Sequence, residues 1–148
     1  MIPFILGILS ALVQTSFFGA LAPTSWHILS SVAVIIYLYR FGLRHISHTT
    51  SWWIGLILDL LSSWPFGVWL VIILLVDLIA DMTLPKQKSS TAESAGALLV
   101  FSLSLIICIG VNLANHGAWL GGSVASAIIV TLLYYIATRA TLVWRIYE

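Results

Sequence analysis

The residues able to do chemistry are few and widely spaced. Asp59 lies inside the apolar stretch Gly55-Leu56-Ile57-Leu58-Asp59-Leu60-Leu61. A carboxyl group there could bind a proton or a substrate, contact a partner, or hydrogen-bond a neighbouring helix; the structural bond is the preferred reading. Asp77 and Asp81 are four residues apart on the next apolar stretch and share a helix face. Asp81 falls near the end of that stretch and reads as interfacial, whereas Asp77 lies deeper. Counted back from the turn between the two stretches, Asp77 is about seven residues further along than Asp59, a depth difference of roughly 10 Å, so the two do not make a catalytic carboxylate pair. Gln14, midway along the first apolar stretch, is the natural neutral partner for Asp59. Its plain structural reading is an interhelical hydrogen bond worth about 0.6 kcal/mol.

His45 and His48 could offer a metal pair at helical spacing, but no Cys, Asp or Glu stands near them in the sequence. Both are expected as solvated side chains in a basic loop. His27 and His116 each stand alone, and one histidine specifies no chemistry. Asn112 and Asn115 make the end of the fifth apolar stretch polar. The chain has no nucleophile elbow, phosphate loop, zinc motif or acidic cluster. The sequence therefore reads as a non-enzymatic protein with no catalytic residue, metal site or cofactor.

The elements that must position these residues are apolar helices. Of 148 residues, 61% are hydrophobic and 7% charged, against about a quarter charged in a soluble domain. The expected fold class is all-α: one polytopic membrane domain over residues 1–148 with about six spans, at 4–22, 26–44, 50–64, 66–84, 95–113 and 119–137. The second span reaches crossing length by continuing through Arg40 and Arg44, whose heads snorkel to the interface, while the third stays short. Between the third and fourth spans, Ser63 is expected to cap the fourth helix with Pro65 in its first turn, giving a tight hairpin. A net charge of +1 with six basic residues gives no case for nucleic acid. The single Cys108 excludes an intramolecular disulfide. Met1-Ile2-Pro3-Phe4 lacks a basic leader, so the first stretch is expected to be a retained helix, and neither end carries a lipidation motif.

Charge sets the expected orientation. Arg40, Arg44, Lys86, Lys88, Arg139 and Arg145 all follow even-numbered spans, so the positive-inside rule puts those ends and both termini in the cytoplasm. Trp26, Trp64 and Trp119 then mark the outer interface and Trp52, Trp53 and Trp144 the inner one. An ionisable residue such as Asp59 costs about 2.5–3.5 kcal/mol at a span's centre, and six Leu and Ile residues return roughly 2–3.6 kcal/mol. The third span is thus marginal alone and is expected to insert with the fourth, turning Asp59 inward. Gly7 with Ala11, Gly110 with Ala114, and Gly121 with Ala125 place small residues four apart, where helices can approach closely.

The hairpin Gly55-Leu56-Ile57-Leu58-Asp59-Leu60-Leu61-Ser62-Ser63-Trp64-Pro65-Phe66-Gly67-Val68, followed by a long Leu, Val and Ile run, resembles the bacterial rod shape-determining protein MreD family. That family shows a Gly-Leu, Asp-Leu-Leu-Ser, then Pro-Leu-Gly or Pro-Phe-Gly pattern here. Leu12-Val13-Gln14-Thr15-Ser16-Phe17-Phe18 is similar to its Leu-Gln-Thr/Ser pattern, so the likeness covers about the first 84 residues. A departure lies at Pro23-Thr24-Ser25-Trp26-His27, where the family often has Pro-Asp. The resemblance implies a fold similar to the substrate-binding subunits of energy-coupling-factor transporters. It also implies a non-enzymatic inner-membrane subunit of the cell-elongation machinery that partners MreC. Through MreC it would meet the peptidoglycan polymerase and transpeptidase and, indirectly, cytoplasmic MreB filaments.

Two functional readings follow. In the first the chain is a scaffold in which Gln14, Asp59, Trp64, Pro65, Gly67 and Asp77 serve structure or partner contact. In the second it is a small-molecule-binding transport subunit with a pocket near Gln14, Asp59, Asn112 and His116. Scattered polar singles on aliphatic faces favour the first. The expected topology has position 25 and position 116 outside and position 90 inside; cysteine labelling at Ser25, Ser90 and His116 checks it, and reaction at position 90 from the outside overturns it.

Overall fold

The computed structural model describes residues 1–17, 29–84, 90–114 and 120–146. Its elements are all helical among the described residues. Helix α1 (Ile2–Leu12) opens with Pro3 in its first turn, where the missing N–H costs nothing, and widens into a π-helical turn over Val13–Phe17. The remainder of the expected first span, and Pro23-Thr24-Ser25-Trp26-His27, lie outside the described residues.

Helix α2 (Ser30–Arg40) is enclosed on nearly every side: Ser31, Val32, Ile35 and Ile36 have no exposed surface. It touches every other helix and joins two groups, α1 with α3 and α4, and α5 with α6. The expected continuation through Arg44 does not occur. Gly42 takes a φ of 77°, its N–H donates to the Tyr39 carbonyl at 3.0 Å and the Leu43 N–H to the Leu38 carbonyl at 3.0 Å. These are the paired bonds of a Schellman stop, which favours glycine because a side chain strains that backbone.

The break shifts the next helix. α3 (Arg44–Leu61) has 18 residues, about 27 Å at 1.5 Å per residue, and begins well before the expected start at residue 50. Its first half is polar yet partly buried, with Ser47, Thr50 and Ser51 at zero exposure. Thr50 and Ser51 donate to the carbonyls of Ile46 and Ser47 at 2.6 and 2.9 Å, which lets the helix carry them without water. The third element is therefore not short; hydropathy hid its polar beginning.

Helix α4 (Val68–Thr83) starts later than the expected residue 66, and neither Ser63 nor Pro65 belongs to it. Gly67, with φ 98° and ψ −16°, has the dihedrals of the third position of a type II turn. Close approach of α3 and α4 rests on Gly55, where an added Cβ would stand 2.7 Å from the Leu70 Cα. At the α1–α3 contact, Phe4 and Trp53 rings meet edge-on at 4.7 Å, so Trp53 packs internally while Trp52 is exposed.

Helices α5 (Ser90–Ala114) and α6 (Leu120–Ile146) pack on each other. Their segments Ser94–Ala114 and Gly122–Thr141 are long and apolar enough to cross a membrane, with mean hydropathy 2.5 and 1.5. Each helix outruns its apolar stretch; α6 continues past residue 137 through Arg139, whose guanidinium lies 5.1 Å from the Tyr135 ring centre. One core joins all six helices, from Ala11 through Ile35, Ile54 and Ile73 to Val100 and Val130. Of the small-residue pairs, Gly7 and Ala11 are buried, whereas Gly110 and Ala114 face outward. The surroundings of Gly121, Trp144 and Arg145, and residues Lys86, Lys88, Asn115, His116 and Trp119, lie outside the description.

These contacts separate two glycines. Gly55→Ala must push backbone aside and is expected to cost about 1–3 kcal/mol, while Gly110→Ala, with nothing within 4 Å, gains up to about 1 kcal/mol of helix propensity. Thermal unfolding of the two purified variants checks the contrast.

Candidate functional site

The first N–H groups of any helix have no partner inside it. At α4 the N-cap is Gly67, which has no side chain to supply one. Asp59, in the last turn of α3 and 4% exposed, fills that need. Its Oδ1 accepts the Trp69 N–H at 2.8 Å, and its Oδ2 accepts those of Gly67 and Leu70 at 3.0 and 3.1 Å. The intervening Val68 N–H donates to the Pro65 carbonyl at 3.3 Å, and the Val71 N–H begins the helical ladder at Gly67. Every N–H from Gly67 to Leu70 is thus accounted for. Both carboxyl oxygens are acceptors, and they face the positive end of the helix dipole. Charge-assisted bonds of this kind contribute about 1.5–3 kcal/mol each at most, enough together to offset the burial of the carboxyl.

Gln14 is not the partner of Asp59. Its position in the π-helical turn brings Oε1 to Ser31 at the start of α2, where it accepts both the Ser31 N–H, at 3.3 Å, and the Ser31 hydroxyl. The N-cap of α2 is Leu29, again a residue without a capping group. Asn112 bonds a third helix pair, its Nδ2 donating to Ser123 Oγ at 2.8 Å across α5 and α6. Gln14, Asp59 and Asn112 therefore act on three separate helix junctions.

The opposite end of α3 and α4 holds a second polar group. Asp77, 4% exposed, accepts the Ser47 and Ser51 hydroxyls on Oδ1 at 3.2 and 3.0 Å. Its Oδ2 meets His48 Nδ1. His48 is exposed, as expected, but it is also partnered: helix α3 carries it onto a carboxylate 29 residues away in sequence. Tyr39 of α2 closes the group, its hydroxyl 3.3 and 3.4 Å from the two imidazole nitrogens. Beside it, Arg44 Nη1 donates to Asp81 at 2.6 Å and Nη2 to the Leu84 carbonyl at 3.3 Å. Arg44 opens α3, where the helix dipole disfavours a cation, and Asp81 supplies the compensating charge.

Trp64 stacks obliquely near Trp69 with ring centres 6.3 Å apart, and Pro65 is exposed in the turn that Gly67 completes. His45 is exposed. Among the described residues, no group of three or more His, Cys, Asp or Glu side chains gathers to hold a metal.

Comparison with known proteins finds no matching family model, curated protein or solved structure. The chemistry of the site is accordingly argued from its geometry.

Ser31, Ser47, Ser51, Tyr39 and Ser123 take part without having been singled out in the sequence. Ser47 and Ser51 did carry a signal: four residues apart, they share a helix face and can donate together to one acid on the next helix. Asp59→Asn retains one acceptor oxygen and is expected to cost about 1–3 kcal/mol, whereas Asp59→Leu strands three donors and costs more. Equilibrium unfolding of both variants orders them.

Proposed function

We propose that this chain is a non-enzymatic membrane scaffold resembling MreD, with six spans in a bacterial inner membrane, both termini cytoplasmic, and an MreC-like protein as its partner. The observation that carries the reading is the work done by the motif through which the resemblance was drawn. Gly55 allows α3 and α4 to touch, Asp59 holds the start of α4, and Pro65-Phe66-Gly67 makes the turn between them. Those residues act on packing, which is what a scaffold needs of them.

Two further features support placement in a bilayer. Large aliphatic side chains face outward on five helices, including Leu9, Leu60, Leu75, Ile106 and Ile136, while α2 is enclosed by protein. The Arg44–Asp81 pair joins the α2–α3 turn to the end of α4, so the ends of the second and fourth helices lie together, as a common cytoplasmic side requires. A transport reading needs Gln14, Asp59 and Asn112 to converge on a ligand, and each is instead spent on its own helix junction.

The scaffold would extend indirectly to the peptidoglycan polymerase and transpeptidase and to MreB filaments. Affinity isolation of the tagged protein from its own membranes in mild detergent is expected to recover an MreC-like protein with a cell-wall polymerase or transpeptidase. Recovery of an ATPase-coupled transmembrane subunit, or of a stoichiometric metabolite, would make the chain a transporter component and overturn the scaffold.

A further inference from the structure

The α3–α4 hairpin is too short for the bilayer that α5 and α6 fit. The apolar segments of α5 and α6 have 21 and 20 residues, about 30 Å at 1.5 Å per residue, which matches the ~30 Å of hydrocarbon in a bilayer. At its polar end the hairpin is held by the Arg44–Asp81 pair, whose side chains are 29% and 38% exposed, as suits charges at a headgroup boundary. From Asp81 back to Val68, where α4 begins, the helix covers about 20 Å. Helix α3 adds no reach: beyond the half-exposed His48, its outward apolar face runs from Trp52 to Leu61, about 14 Å.

Two features of the turn itself fit a place inside the lipid. Between Leu60 and Gly67 the exposed side chains are apolar apart from Ser63: Leu60 and Phe66 are 68% exposed and Leu61 51%, with Pro65 beside them. Its backbone donors are met from within. At an aqueous surface the first N–H groups of α4 could bond water. Here the buried Asp59 carboxyl takes those of Gly67, Trp69 and Leu70, the Pro65 carbonyl takes that of Val68, and the Leu58 carbonyl takes that of Ser62. Pro65 has no N–H to place. Non-helical backbone at membrane depth is tolerated where protein satisfies it, because hydrocarbon offers no partner.

We propose that the α3–α4 turn lies inside the hydrocarbon, about 10 Å short of the far headgroups, with Leu60, Leu61 and Phe66 against lipid acyl chains. The hairpin enters and leaves on the side of the Arg44–Asp81 pair, so the orientation of the other helices and of the termini is unchanged. Asp59 then does more than join two helices: it supplies, at a depth without water, the acceptors that a surface turn takes from solvent. The inference rests on the bilayer placement proposed above and deepens it, naming lipid chains as the partner of this face.

The test is a depth measurement by electron paramagnetic resonance on the full-length protein in dioleoylphosphatidylcholine vesicles. A nitroxide is attached at Phe66→Cys or, separately, at Ser63→Cys; the native Cys108 is buried, and the native chain carried through the same labelling gives the blank. Labels at Ile106→Cys and Leu113→Cys, outward positions near the middle and the end of the α5 apolar segment, calibrate the hydrocarbon and its boundary. Relative accessibility to oxygen and to a water-soluble nickel chelate is expected to place positions 66 and 63 about 10 Å deeper than position 113. Positions 66 and 63 as open to the chelate as position 113 overturn the proposal, and either site alone is decisive where the other variant fails to fold. A chelate-accessible position 106 overturns the bilayer placement itself, which tells that failure apart from a turn that reaches the surface.

Discussion

A helix that starts among apolar neighbours has N–H groups that neither its own turns nor water can satisfy, and this constraint shapes the protein. Helices α2, α3 and α4 start at Leu29, Leu43 and Gly67, none of which carries a capping group. For α2 and α4 the acceptor comes from the preceding helical element: Gln14 for α2 and Asp59 for α4. The cap is thereby also a tertiary bond, and the position of one helix fixes where the next can begin. Asp59 is the stronger instance, because a single carboxyl settles three donors and leaves the turn itself to be shaped by Pro65 and Gly67.

The polar bonds sort by their place along the chain. The α1–α2, α3–α4 and α5–α6 junctions are each bridged by a side chain of the earlier helical element, Gln14, Asp59 or Asn112. The α2–α3 turn is instead tied to the end of α4 by charge, through Arg44 and Asp81, with Asp77, His48 and Tyr39 beside them. Between these groups the contacts are aliphatic and aromatic. A neutral acceptor, a neutral donor and one carboxylate thus serve these three helix junctions, while Arg44 and Asp81 serve the opposite end of the α3–α4 hairpin.

Much of this was legible in the residues, and what was not has physical causes. All-helical architecture followed from apolar runs, and the inward orientation of Asp59 followed from the cost of leaving a carboxyl among aliphatic side chains. The partner of Asp59 was not legible, because an acceptor can be met by backbone N–H groups that every sequence possesses. Gln14 and Asp59 looked like a pair because both are polar; nothing in composition reveals that each serves a helix start. The beginning of α3 was misread because Ser47, His48, Thr50 and Ser51 look like a loop until Asp77 is placed against them. Gly42 signalled the end of α2, yet two flanking arginines made a longer snorkelling helix equally consistent with the pattern.

The enclosure of α2 has a consequence in time. A helix touched by all the others has no finished surroundings until the last of them exists, and α5 and α6 are made last. About 100 residues follow Arg40, which at about 5–20 residues per second means roughly 5–20 s of synthesis during which α2 lacks part of its covering. Throughout that interval the nascent chain displays a helix evolved to be hidden, with Ser30 and Ser31 at its head. Part of the covering of α2 is therefore absent until α5 and α6 have been made and packed against it.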